Sequence, residues 1–167
     1  MSAPLIVTAT FGVDDHAWLE GLRRAHYPAE LNRVPVHLTL FHHLPPSLER
    51  ELGQRLGTYA EAPAPRARIL GLMDLGQGTA FRVESEELED IRLDLAEAFR
   101  GLLMPQDQSP WRPHVTVQNK VGRRDAIALQ KVLQLGTFPK PLAIRGLTSW
   151  RYLDGPWEQV RAYPFRG

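Results

Sequence analysis

Apolar and polar residues follow two different periods along this chain, and the changes of period predict its helices and strands. Short runs rich in β-branched and other apolar residues predict strands, whereas apolar residues at every third or fourth position predict helices. Strands are predicted over residues 5–11, 34–41, 66–75, 79–85, 114–119, 142–153 and 157–165. Helices are predicted over residues 13–27, 45–59, 85–102 and 125–135.

The predicted elements occur in an order that nearly repeats. After the first strand, a helix, a strand, a second helix and two further strands follow one another twice, as a duplicated α+β unit would give. The segment APAP at residues 62–65 predicts a hinge-like connection. We therefore predict an α+β fold class in which residues 1–167 form one domain made of two pseudo-symmetric lobes.

Composition restricts the class of protein and its location. Of the 167 residues, 43% are hydrophobic and 23% are charged, and no apolar run has the length that crosses a bilayer. The beginning, MSAPLIVTATFGVDD, has no basic region before its apolar stretch and predicts a first strand instead of a secretory signal. We expect a soluble, cytoplasmic protein with no membrane partner. Nothing in the sequence demands an oligomer, and we expect a monomer.

Charge and cysteine content restrict the chemistry further. The 20 Lys and Arg residues and 19 Asp and Glu residues give a formal charge of +1, whereas proteins that bind long nucleic acids through many phosphates are strongly basic. A nucleic-acid substrate is therefore expected to be held at an end or at one phosphodiester. The chain has no cysteine, which excludes disulfides, thiolate metal sites and a cysteine nucleophile.

Two of the predicted strands carry the same short motif, a histidine two residues before a threonine. The first copy is His37 and Thr39 in VHLTL, and the second is His114 and Thr116 in HVTV. Successive side chains of a strand point to opposite faces, so each histidine shares a face with its threonine while the apolar neighbours point into a core. One copy alone is typical of an ordinary amphipathic strand. Two copies at matching places of a duplicated order favour a functional role.

Two imidazoles and two hydroxyls suit a phosphate group if the two halves bring them to one cleft. A neutral histidine accepts a proton from water or a hydroxyl, and a protonated one donates to the leaving oxygen. The threonines donate hydrogen bonds to the non-bridging oxygens, and the charged imidazole stabilises developing charge. This chemistry needs no metal. Because 77 residues separate the two histidines (114 − 37), only the tertiary fold can unite them.

The motifs and the order of elements together resemble a known family. HLTL and WRPHVTV, with the acid-rich helix SEELEDIRLDL between them, resemble the two-histidine (2H) phosphoesterase superfamily, and within it the bacterial 2'-5' RNA ligases or RNA 2',3'-cyclic phosphodiesterases. The resemblance covers nearly the whole chain. It implies a bilobal duplicated fold with two antiparallel β-sheets lining a central cleft, helices on the outside, and metal-independent chemistry on 2',3'-cyclic or 2',5'-linked phosphates without a cofactor. It also implies catalytic roles for His37, Thr39, His114 and Thr116, with His37 protonating the leaving oxygen and His114 activating water.

Four further residues are candidates for substrate binding. Phe41 shares the face of His37 by parity and would stack on a base or ribose, although a core aromatic is an equal alternative. Lys120 follows the second motif where members of the family often have arginine, and it would meet a phosphate as a point charge. Arg151 and Tyr152 would reach the cleft from a later strand, whereas most strand arginines lie on the solvent face.

Three other features are less specific. His42 and His43 suggest a metal site, but adjacent strand residues point to opposite faces and no carboxylate is near in sequence, so we predict no metal. Arg82 has the same two alternatives as Arg151: it contacts substrate in the cleft, or it is an arginine on the solvent face. Trp111 would cover the site or pack on a lobe.

The leading functional hypothesis is a phosphodiesterase that opens 2',3'-cyclic phosphate ends of RNA or of nucleotides and leaves a 2'-phosphate. The same four groups would serve the reverse reaction, a 2'-5' RNA ligase, or the cleavage of 2'-5' linkages. A non-catalytic module that binds RNA ends or a phosphorylated metabolite is the alternative from a different class.

Overall fold

The computed structural model describes residues 3–167, and it contains both helices and strands in the predicted order. The strands are β1 (Leu5–Phe11), β2 (Leu38–Leu44), β3 (Arg66–Asp74), β4 (Thr79–Glu84), β5 (His114–Gln118), β6 (Lys140–Tyr152) and β7 (Trp157–Pro164). The helices are α1 (Val13–His26), α2 (Glu49–Tyr59), α3 (Glu86–Ala98), α4 (Pro105–Gln108) and α5 (Arg123–Leu133). In this part of the chain, no helix combines the length and the apolar character needed to cross a membrane.

All strand pairs named in the sheet are antiparallel, and the long strand β6 joins two halves. The first residues of β6 pair with β3, and the later ones pair with β1 on one edge and β7 on the other. The first half-sheet is therefore β2-β1-β6-β7, and the second is β6-β3-β4-β5. The predicted α+β fold with antiparallel sheets is confirmed, with the difference that the two sheets share one strand.

Each of the two sequence repeats contributes strands to both half-sheets. In the first repeat, β2 belongs to the first half-sheet, whereas β3 and β4 belong to the second. In the second repeat the exchange is reversed, because β5 lies in the second half-sheet while β6 and β7 complete the first. Each motif strand therefore forms an edge of the half-sheet that the other repeat largely builds. This exchange brings the edges β2 and β5 into contact.

The helices pack on one face of each half-sheet. Helix α1 contacts β5, and Trp18 on α1 lies 5.1 Å from Phe81 on β4, between ring centroids. Helix α5 reaches the same half-sheet through Gln130, which donates to the hydroxyl of Thr79. Helix α2 contacts β7 of the first half-sheet, whereas α3 contacts β3 and also anchors β2 through Arg92, which donates to the carbonyl of Leu40. The core thus lies between sheet and helices in both halves.

The structure moves the predicted boundaries of the first motif strand. It begins at Leu38 instead of residue 34, since Pro35 has no backbone N–H to give to a ladder, and it continues to Leu44. The pairing with β1 shifts by one residue on either side of the pair Val7 and Phe41, so β2 contains extra residues of the β-bulge type. The segment before the second motif, predicted as a loop, contains the short helix α4.

Candidate active site

The two histidine–threonine motifs lie on β2 and β5, or directly before β2 in the case of His37. Their side chains follow the alternation expected for half-buried strands. The apolar partners are all fully buried, whereas the two histidines and two threonines are half-buried on the opposite face. These apolar partners are Leu38, Leu40, Val115 and Val117. The core therefore fixes each strand and presents each histidine together with its threonine.

Both motif histidines are oriented by the same hydrogen bond. Nδ1 of His37 lies 2.7 Å from the carbonyl oxygen of Pro35, and Nδ1 of His114 lies 2.7 Å from the carbonyl oxygen of Arg112. A carbonyl only accepts, so the proton of each ring is on Nδ1 and a neutral ring has its lone pair on Nε2. Neither Nε2 atom is hydrogen-bonded within residues 3–167. Each imidazole therefore presents Nε2 for proton exchange.

The edges of the two motif strands are connected by reciprocal hydrogen bonds. Trp111, just before β5, donates from Nε1 to the carbonyl oxygen of Thr39 at 3.0 Å. Arg23 on α1 donates from Nη1 to the carbonyl oxygen of Thr116, also at 3.0 Å. The first bond joins the segment before β5 to β2, and the second joins α1, which precedes the first motif in the chain, to β5. These bonds satisfy carbonyl groups at the strand edges and fix the position of one motif relative to the other.

The electrostatic surroundings of His37 favour its neutral form. The pKa of His37 is lowered to about 4, mainly because the ring is buried and also because Arg23, His42 and His114 lie near it, while the bond to the Pro35 carbonyl acts in the opposite direction. The ring of His37 packs against Trp157 on β7, with 4.6 Å between the centroids. Trp157 therefore covers one side of this imidazole.

The face of the first half-sheet that carries Thr39 is polar next to the motif and aromatic beyond it. Thr8 on β1 pairs with Thr39 on one side and with Thr148 on the other, so three threonines form a row across the strands. Trp150 donates from Nε1 to the hydroxyl of Thr8 at 2.9 Å, and its ring lies 5.8 Å from the ring of Trp157. An aromatic floor therefore lies beside the row of hydroxyls.

Of the two alternatives for Phe41, stacking on substrate or packing in the core, the structure shows the core aromatic. It is 0% exposed and packs in the core, with the guanidinium of Arg92 4.1 Å from its ring centroid. The parity argument was wrong because the extra residue between Thr39 and Phe41 reverses the alternation after the motif. Phe41 therefore packs in the core and does not stack on substrate.

Arg151 lies on the face of the first half-sheet away from the histidines. Its neighbour Trp150 faces Thr8, so Arg151 points to the opposite face, where it donates to both carboxylate oxygens of Glu49 on α2 at 2.8 and 2.9 Å. It also pairs with Glu158 at 3.0 Å. The predicted contact of Arg151 with substrate is therefore corrected to a role in joining α2 to the sheet.

The other two substrate-binding candidates differ in their positions. Tyr152 is exposed and is the cross-strand partner of Trp157, on the same face as Trp150, so its predicted role stays a prediction. Lys120 is exposed in the turn after β5, beside the turn that contains Gln77. The strand carries it away from His114, and the structure does not bring it to the two histidines.

The adjacent histidines after the first motif anchor β2 instead of forming a metal site. The buried carboxylate of Asp107 on α4 accepts from the backbone N–H groups of His42 and His43 and from Nδ1 of His42, at 2.9 to 3.1 Å. No carboxylate is near His42 in sequence, and the fold supplies one on α4 from 65 residues away. Within residues 3–167, no three His, Cys, Asp or Glu side chains form a group that could hold a metal ion.

Sequence reasoning missed two residues of this site, Trp157 and Arg23. Trp157 had a usable signal, because the hairpin around residues 154–156 pairs it with Tyr152, itself a predicted site residue. Arg23 had none, since nothing local shows that an arginine on an amphipathic helix reaches a strand 93 residues later.

Comparison with known proteins agrees with this fold. The family model of the 2'-5' RNA ligase superfamily matches residues 12–156. Among solved structures, TT0787 of Thermus thermophilus is 19% identical and superposes with a TM-score of 0.64 over 98% of each chain. LigT of E. coli in complex with 3'-AMP is 15% identical, with a TM-score of 0.64 over 100% of both chains. A structure described as a phosphoesterase gives 15% identity and a TM-score of 0.63 over 100% of both chains. No curated protein matches the chain by sequence.

Proposed function

The chain belongs to the 2'-5' RNA ligase superfamily, and from this premise we propose that it hydrolyses 2',3'-cyclic phosphates at RNA ends or on nucleotides to 2'-phosphates. Membership supports a function of the phosphoesterase or ligase type. The choice of the cyclic phosphate and of hydrolysis is the proposal.

One observation carries the proposal: two imidazoles, held identically through Nδ1, present Nε2 beside two threonine hydroxyls on strand edges that touch. Acid and base on opposite sides of one phosphorus are what an in-line displacement requires. The hydroxyls of Thr39 and Thr116 have no hydrogen-bond partner within residues 3–167 and can donate to the non-bridging oxygens. LigT, a relative with this fold, was solved with 3'-AMP bound, so a nucleoside monophosphate is a reasonable ligand for this site.

In the proposed reaction, water attacks the phosphorus and its proton passes to Nε2 of one histidine. The bond between phosphorus and the 3' oxygen breaks, and the other histidine, protonated on Nε2, donates that proton to the 3' oxygen. The products are a 2'-phosphate and a 3'-hydroxyl, and one imidazole gains the proton that the other loses. The charge that develops on the phosphoryl oxygens is met by the threonines and by the imidazolium.

The low pKa of His37 bears on which imidazole is the base. Without ligand, His37 is neutral at pH 7, and the neutral form is the one that accepts a proton. We therefore propose His37 as the base and His114 as the acid in hydrolysis, the reverse of the roles implied by the family resemblance. A substrate whose 3' bridging oxygen is replaced by sulfur distinguishes the acid from the base, because a thiolate leaves without a proton and therefore needs no acid. It should restore activity to His114→Ala and not to His37→Ala; the opposite pattern reverses the assignment.

The experiment that tests the function is a hydrolysis assay in the presence of a chelator. Purified protein is given nucleoside 2',3'-cyclic phosphates and an RNA that ends in a cyclic phosphate, and the 2'-phosphate product is quantified. His37→Ala and His114→Ala should each lose about a hundredfold or more in kcat, the usual scale for a lost acid or base. His43→Ala is the matched control on the same strand and should keep normal activity. Absence of turnover with every substrate, or near-normal rates in both motif variants, refutes the proposal.

The same groups catalyse the reverse reaction by microscopic reversibility, and the family name favours testing it. A 5'-hydroxyl RNA supplied together with the cyclic-phosphate RNA reports ligation as a longer product with a 2'-5' linkage. Joined product without hydrolysis would make ligation the function of this chain.

A further inference from the structure

Arg82 on β4 occupies a distinct position next to the second motif. It is the cross-strand partner of His114, so both side chains rise from the same face of the second half-sheet. Directly paired residues in antiparallel strands have Cβ atoms about 5 Å apart. On its other side Arg82 pairs with Gly71 of β3, which has no side chain. The guanidinium therefore has open space on the side away from His114.

The charge of Arg82 is not neutralised by the protein. Arg82 is exposed and makes no ion pair within residues 3–167. The carboxylate nearest along its strand, Glu84, is engaged by Arg68, with 2.7 Å between Nη2 and Oε1. A free guanidinium beside a catalytic imidazole is suited to a bidentate contact with a phosphate.

The arrangement of strands indicates which phosphate this is. The reacting phosphorus would lie between the edges β2 and β5, whereas β4 is one strand further out, about 4.8 Å from β5 on the side away from His37. In the first half-sheet, the residue of β1 that pairs with Thr39 is the buried, neutral Thr8. The first half-sheet also carries Trp150 and Trp157. The second half-sheet therefore presents a cation beside its motif, and the first presents aromatic rings.

We propose that Arg82 binds the phosphate that precedes the terminal nucleotide, so that the preferred substrate is the 3' end of an RNA chain and not a mononucleotide. This inference rests on the proposed function for the site, and it specifies how the RNA chain is oriented on the protein. The terminal phosphate lies between the histidines, the RNA backbone runs over the second half-sheet past Arg82, and the terminal base lies toward the tryptophans. Arg82 is a substrate-binding residue that touches no reacting atom.

The test compares Arg82→Gln and Arg82→Lys with wild type and with Arg124→Gln. Arg124 is exposed on α5, on the outer face of the same half-sheet, and its variant loses the same charge. The ligands are a nucleoside 2'-phosphate and a dinucleotide that ends in a 2'-phosphate, so that dissociation constants are measured whether or not the protein turns over cyclic substrates. The corresponding cyclic phosphates are used for kcat/KM.

Arg82→Gln should weaken binding of the dinucleotide about tenfold or more, a loss on the scale of a hydrogen bond to a charged group, while mononucleotide binding changes less than about twofold. Arg82→Lys should recover part of the loss, and Arg124→Gln should equal wild type. The slope of log K against log salt for the dinucleotide should fall by about 0.7, as expected for one lost contact with a single strand. Equal losses for both ligands, no loss for either, or failure of wild type to prefer the dinucleotide overturns the proposal. Lack of turnover with preserved dinucleotide preference refutes hydrolysis and leaves the role of Arg82 standing.

Discussion

Replacing Trp157 with alanine should raise the pKa of His37. The ring of Trp157 packs against His37 at 4.6 Å, and burial is the main reason that the pKa of His37 falls from 6.5 to about 4. Admitting water to that side of the imidazole stabilises its charged form, so the pKa moves back toward 6.5. We expect the pKa to rise to between about 5.5 and about 6.5, and less than the full way if the other atoms that bury the ring stay in place.

The kinetic consequence depends on pH in a way that can be calculated. If neutral His37 is the base, its neutral fraction at pH 5 is about 0.9 for a pKa of about 4. That fraction becomes about 0.24 for a pKa of about 5.5, and about 0.03 for a pKa of about 6.5. The loss of kcat/KM at pH 5 should therefore lie between about fourfold and about thirtyfold. At pH 8 both proteins carry neutral His37, and the pKa change alone should leave the rate unaltered.

The same change predicts how stability depends on pH. A folded-state pKa below the unfolded one means that the unfolded chain binds more protons, so wild type loses stability on acidification from about pH 6.5 to about pH 4. A difference of 6.5 against about 4 corresponds to about 3 kcal/mol as an upper figure. The loss of stability between about pH 6.5 and about pH 4 should be smaller in Trp157→Ala than in wild type. A change in stability that is equal at all pH values does not affect this comparison.

The direct assay is an NMR titration of the His37 ring in wild type and variants, combined with kcat/KM profiles from pH 4 to pH 8 and urea unfolding at the two ends of that range. Trp157→Phe should give a smaller rise, since a ring still covers the imidazole. Tyr152→Ala, at the exposed cross-strand partner of Trp157, is the control and should leave the pKa of His37 in place. The reasoning is refuted if wild-type His37 titrates near 6.5, or if Trp157→Ala leaves a low value unchanged.

Two further variants test the structural roles of Asp107 and Arg151. Asp107→Asn should lower the free energy of unfolding at neutral pH by about 1–3 kcal/mol, because a neutral amide replaces the buried carboxylate that accepts from His42 and His43. Urea unfolding measures this loss, and an unchanged midpoint would contradict the anchoring role. Arg151→Gln should keep kcat/KM within about twofold. It should lower the free energy of unfolding by about 1 kcal/mol or less, because it breaks a partly exposed ion pair with Glu49. A tenfold loss of kcat/KM would show instead that Arg151 contacts substrate.

The stability that Asp107 contributes also depends on pH. Burial raises the pKa of this carboxyl, but the hydrogen bonds from His42 and from the two backbone N–H groups outweigh it, and the net shift is downward. Stability from Asp107 is therefore present above the ordinary carboxyl pKa and is lost as the pH falls through the lowered value.

The sequence by itself determined the elements, their order and the two motifs. Strand alternation and helix periodicity are local consequences of backbone geometry, so they predicted the α+β class and showed that His37 shares a face with Thr39, and His114 with Thr116. The duplicated order was also visible, since it needs no knowledge of how the copies pack.

Only the tertiary structure decided which strands pair and which side chains meet across the chain. The pairing of strands from different repeats, the contact of Trp157 with His37 and the bond from Arg23 to Thr116 join residues up to 146 positions apart (151 − 5). Parity failed at Phe41 because a single extra residue in a strand reverses every face that follows it. Such a bulge and such long-range pairings depend on how well whole surfaces pack, and no local pattern of residues encodes that.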